Sequence, residues 1–253
     1  METEKQPQPS EMEPEVVAVK PRSIWGIIVR VFSAPQQAFE DFKPRPRILV
    51  LLVITIVIGA IAALGTAKYT ALLQYELLST SPQIPQQLLD QMRQAATEVE
   101  LGKAIPTGGV FAVIVGLLVA LVAWFVGGFL MGGKAKFKTV WAATLLGGLI
   151  MELGSLVRLP LIMAKDSMYV SLGLAAFLPG KDFRSILYGL LYYFDIFMVW
   201  TIIVTGIGYG IIFGISRGKG ITAAFIGFAI FVLLSITLSS VGLAFAGVEI
   251  SLF

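Results

Sequence analysis

The chain has 253 residues, of which 57% are hydrophobic and 14% charged, with a formal net charge of +3 and a mean hydropathy of +0.85. A soluble domain carries about 25% charged residues, so this composition leaves too little polar surface for water on all sides and excludes a soluble enzyme. With 0 His and 0 Cys, disulfides, thiolate chemistry, His/Cys metal centres and Ser-His or Cys-His nucleophile pairs are excluded as well.

Residues 1–22 begin with an acidic, Pro-rich stretch, Met1 to Glu15, with Glu2, Glu4, Glu11, Glu13 and Glu15. They lack the basic start and apolar run of a signal peptide and predict a disordered cytoplasmic tail. Ile24 to Phe42 is apolar and interrupted at Pro35. It is too short to span, since spanning takes about 20 apolar residues, and predicts short helices at the membrane surface. Trp25, Arg30 and Phe39 suit that placement, and Lys43, Arg45 and Arg47 continue it as a basic, Pro-stiffened hinge.

Five apolar runs follow, at 48–67, 109–131, 139–157, 186–215 and 221–247. They predict an all-α, polytopic membrane bundle with about five transmembrane helices and short interfacial helices, occupying residues 23–247 as one domain. Residues 248–253 are left as a short external tail. Between the first two runs, Lys68 to Pro106 is polar and predicts two short amphipathic helices outside the bilayer. Met168 to Leu178 is apolar but short, and predicts an interfacial or re-entrant segment.

Basic residues near span ends set orientation. Lys134, Lys136 and Lys138 follow the second run, and Arg217 and Lys219 follow the fourth. With five spans these fall on the same side as Lys43, Arg45 and Arg47. The prediction is an inner (plasma) membrane protein with its N-terminus cytoplasmic and its C-terminus external.

Glu152 and Asp195 are the carboxylates inside spans, both in the outer half of the bilayer, and Arg158 lies near enough to pair with either. An intramembrane ionisable group is costly and is a candidate functional residue by default. A buried ion pair that fixes helix register is the plainer role for the same residues. Tyr192 and Trp200 belong to an aromatic group around Asp195. Gly206, Gly210 and Gly214 form a small-xxx-small stripe that admits close backbone approach, within the chain or between two copies. No metal or cofactor is implied.

The order of segments resembles the Yip1 domain family. The resemblance rests on Ser33-Ala-Pro-Gln-Gln-Ala-Phe39 before the first span and on the Gly-rich turn Gly132 to Lys138. It rests also on Tyr193-Phe-Asp-Ile-Phe-Met-Val-Trp200 followed by Gly206-Ile-Gly208, and on the basic turn Ser216 to Gly220. It covers about residues 24 to 247. It implies five spans with a cytoplasmic N-terminus. Eukaryotic members work with Rab GTPases on vesicle membranes; this chain lacks their long N-terminal domain and has the compact form of prokaryotic members.

The function expected is non-enzymatic: a membrane scaffold or organiser acting through helix packing and through lipid or partner contacts. The partners expected are the lipid bilayer and a second copy or another membrane protein, not nucleic acid. The alternative is a small transporter or ion pathway using Glu152 and Asp195.

Overall fold

The computed structural model describes residues 23–95 and 105–252; the acidic tail at 1–22 lies outside the described residues. Nine α-helices occur among the described residues. Five helical segments are long and apolar enough to cross a membrane.

Helices α1 (Ile24–Ser33) and α2 (Pro35–Phe42) meet at Ala34. The break is there because proline has no N–H to continue a helix but is well suited to start one. Ser23 caps α1 by accepting from the Gly26 N–H at 3.2 Å. Ile24, Ile27 and Val31 are buried on one face, while Trp25 is 64% exposed on another. Phe39, expected at the membrane surface, is instead fully buried. Its ring fills the space at Gly208, where an added Cβ would lie 2.5–2.7 Å from it.

Helix α3 (Ile48–Ser79) has 32 residues, about 48 Å at 1.5 Å per residue. Its apolar part ends near Ala67, but no helix breaker occurs before Pro82. The first expected amphipathic helix is therefore the continuation of the span, and α4 (Gln86–Ala95) is separate. The second span runs from Ile105 to Leu130. Helix α5 (Phe111–Phe125) forms its middle and wide π-helical turns form its ends. α3 crosses the first of these turns in direct backbone contact; a Cβ on Gly59 would lie 2.7 Å from the Gly108 carbonyl oxygen.

Helix α6 (Phe137–Lys165) runs through Pro160 and stops at Asp166, whose φ is 48°. The loop beyond carries only a short 3-10 turn, Leu174–Phe177, too short to span. The apolar run 186–215 is not one helix. It divides into α7 (Ile186–Tyr193) and α8 (Ile196–Phe213), with Phe194 out of helical geometry between them. Asp195 causes the break, because its side chain caps α8 rather than extending α7. At 18 residues, α8 alone is about 27 Å long.

Helix α9 (Arg217–Phe245) returns after a turn ended by the Ser216 cap. The turn itself uses Gly214 at φ 70°, where α8 stops, a left-handed cap that only glycine adopts cheaply. The other two members of the expected stripe pack within the chain. A Cβ on Gly206 would strike the Ile221 backbone, and a Cβ on Gly210 would touch that of Arg217. From the α9 side, Gly220 lies against the backbones of both Gly206 and Gly210.

The most apolar windows of α6 and α8 are 56% and 61% buried, against 22–28% for α3, the second span and α9. So α6 and α8 form the centre, and the other three present most of their surface outward. After α9 the chain does not trail away. The Ser251 and Leu252 carbonyls accept from Ile186 and Leu187 N–H at 3.0 and 3.2 Å. These are the first-turn donors of α7 that no residue of α7 satisfies.

Candidate functional site

The basic residues sit at one end of the bundle, where α1, α2 and the two tight turns meet. Lys43 donates to the Ile211 carbonyl at 2.7 Å, where the negative end of the α8 dipole favours a cation. Arg30 pairs with Asp41 at 3.3 Å, and Arg217 donates to Gln36 at 2.7 Å. Arg45 and Arg47 are exposed beside them.

Toward the opposite end, a cavity of about 760 Å³ opens among α3, α5, α6 and α8, with residues of α7 and α9 completing its wall. Most of its lining is apolar or small. Glu152, Arg158, Asp195 and Tyr192 all reach it. The two intramembrane acids therefore share one space, as does the arginine.

Asp195 is 4% exposed, and both its carboxylate oxygens are engaged. Oδ1 accepts from the Met198 N–H at 2.7 Å, capping α8. Oδ2 accepts from the Arg158 guanidinium in an ion pair. Arg158 in turn lies 5.1 Å from the centre of the Tyr192 ring, a cation–π contact. The pair thus ties the middle of the bundle to the break between α7 and α8. The Tyr192 hydroxyl donates to the Met168 carbonyl at 3.4 Å, closing that side of the cavity.

Glu152 stands six residues before Arg158 on α6, about 9 Å nearer the basic end. It makes no hydrogen bond or ion pair among the described residues. Arg158, which could have paired with either acid, pairs with Asp195 alone. The cavity hydroxyls are largely satisfied by their own helices: Ser155 donates to Met151 at 3.3 Å and Thr66 to Ala62 at 2.8 Å. Among the described residues no three potential metal ligands of the His, Cys, Asp or Glu type converge.

Trp200 does not belong to this site. Its ring packs edge-on against Phe32 of α1 at 5.8 Å, one turn past the Asp195 cap but on another face of α8. Trp25, which is exposed, marks the outer face of α1.

Contacts across the loop after α6 had no signal in the sequence beyond the presence of charges. Lys68 pairs with Asp166 at 3.0 Å, and the Tyr169 hydroxyl donates to Glu76 at 3.0 Å. Both hold the far part of α3, which forms one wall of the cavity, against that loop. Burial, with the Glu76 carboxylate beside it, keeps the Tyr169 phenol protonated above its usual range. Tyr169, Phe183, Tyr188 and Tyr192 make one aromatic cluster with neighbouring ring centres 4.9–6.1 Å apart. At its edge the Arg184 guanidinium, 2.7 Å from Asp182, holds that carboxyl below the usual carboxylate range.

Residues 29–239 match the family model of the Yip1 domain. Membrane protein YknW of Bacillus subtilis (strain 168) is 27% identical over 225 residues, which cover 87% of this chain and 90% of YknW. No solved structure matches significantly.

Proposed function

The chain belongs to the Yip1 domain family, and from that premise we propose that it is a non-enzymatic organiser of the inner (plasma) membrane that works by holding an amphiphilic molecule within its bundle. The observation that carries this reading is the cavity of about 760 Å³ beside the Arg158–Asp195 pair. Ligand sites of about 300–1,000 Å³ with apolar walls and few polar groups are the usual kind. A ligand there would lean on α3 and so set how that helix stands against α6.

Catalysis has little to work with: Ser155, the serine in the cavity, is bonded to its own helix. The outward faces of α3, α5 and α9 remain for lipid or a membrane-protein partner. A second copy would have to use those faces, because Gly206 and Gly210 are already covered by α9.

Gly148 provides the test. It lines the cavity, and a side chain added there meets open space. The native protein, extracted mildly, should carry a bound amphiphile visible by native mass spectrometry. Gly148→Phe should fold and lose it. Equal occupancy in both proteins would end this reading.

The orientation we propose is N-terminus cytoplasmic and C-terminus external, following the basic end. With 0 native cysteines, single cysteines at Arg45 and Lys181 can be labelled cleanly in intact cells. An impermeant maleimide should reach position 181 and not position 45; the reverse pattern would invert the topology.

An ion pathway is the second reading, and Glu152, without a partner among the described residues, favours it. Proton and cation flux into liposomes holding the native protein should then fall to background in Glu152→Gln. Absence of flux in the native protein would remove it.

A further inference from the structure

We infer that the cavity selects a lipophilic monocation, with Glu152 as its counter-ion. The inference rests on the ligand-holding reading above and adds the charge and shape of what is held.

Besides the tyrosines, one basic and two acidic side chains face the space, and the base and one acid offset each other. Asp195 spends one oxygen on the Met198 N–H and the other on Arg158. Arg158 is held by that pair and by the Tyr192 ring. Its Nε donor has no partner among the described residues, but its charge is offset by Asp195 and does not neutralise Glu152. The Glu152 carboxyl is the one acidic group in the cavity with no partner among the described residues, and a cation beside it would favour its ionised form.

The space around Glu152 is suited to a ligand. Gly148 lies four residues earlier on α6, and positions four apart share a helix face. At Gly148 nothing stands within 4 Å of where a Cβ would be. Beyond it the walls are apolar, contributed by Val115, Leu145, Met151 and Phe228 among others. A positive head beside Glu152 and an apolar body against those walls would satisfy both features. An anion would oppose ionisation of Glu152 and a cation would favour it, in a poorly screened site where charge interactions are much stronger than in water. A small hydrophilic cation would leave the apolar volume unfilled.

The probes are tetraphenylphosphonium and tetraphenylborate, which are nearly the same shape and opposite in charge. Equilibrium dialysis against detergent-solubilised full-length protein compares them, with empty micelles as the blank. The native protein should bind the cation at least about ten-fold more tightly, as expected of a desolvated charge pair. Glu152→Gln should bring the two within about two-fold, Glu152→Asp should keep the preference, and Gly148→Phe should lose both probes. Dodecyltrimethylammonium should displace the phosphonium at concentrations where tetramethylammonium, the same head without the tail, does not. An undiminished preference in Glu152→Gln overturns the inference. So does equal binding of both probes that Gly148→Phe abolishes, and there the cavity reading survives. Binding that is absent, or unaffected by Gly148→Phe, overturns both.

Discussion

The Arg158–Asp195 pair makes a quantitative prediction. Asp195 is nearly fully buried and the Arg158 side chain is 19% exposed. Breaking a buried pair by removing one partner costs about 3–5 kcal/mol, and the partial exposure of Arg158 places this one near the lower limit. Asp195→Asn keeps an oxygen to cap α8, so its cost is the pair alone, about 3 kcal/mol. Asp195→Ala loses the cap too, a further ~1 kcal/mol. Arg158→Met removes the charge with similar volume and strands the carboxylate, again at about 3 kcal/mol. The double variant Asp195→Asn/Arg158→Met leaves no orphan charge. It should cost about 3 kcal/mol and not 6, a coupling energy at the upper end of those measured between touching residues. Equilibrium unfolding in mixed detergent micelles reads all four values. A double variant as unstable as the sum of the singles would refute the pairing.

Two glycines should respond in opposite directions. Gly220→Ala drives a methyl into the Gly206 and Gly210 backbones and should destabilise by about 1–3 kcal/mol. Gly148→Ala enters open space and should stabilise by up to about 1 kcal/mol through helix propensity; melting temperatures of the purified variants check both. Acid should loosen the loop at Asp182. Its folded-state pKa is lowered by Arg184, so its contribution is complete above about pH 4 and fades as the pH falls below that. Amide protection at Ser185 and Ile186, corrected for intrinsic exchange, should drop between pH 4 and 2, and Arg184→Gln should remove the pH dependence.

The spans were legible because a run of about 20 apolar residues has few other fates. The break at Pro35 was equally plain, since proline acts on its own backbone. The break at Asp195 was not. An aspartate in an apolar run reads as an intramembrane charge, and only the structure shows it as the cap that ends one helix and begins another. The stripe Gly206, Gly210, Gly214 was visible, but which neighbour fills it depends on how α9 turns back. Gly214 proved to make that turn. Glu152, Arg158 and Asp195 were all visible as candidates. Their pairing was not, because which acid meets Arg158 depends on how the start of α8 packs beside α6. The cavity had no sequence signal, since its walls come from helices far apart in the chain.

The short segment after α9 has a bearing on biosynthesis. Ser251 and Leu252 supply acceptors to the first turn of α7, yet they are translated only after every span has emerged. Until then α7 keeps two open N–H groups, and the aromatic cluster it carries over the cavity lacks its support. The part of the cavity wall that α7 contributes is therefore completed last, once the whole membrane domain has been inserted.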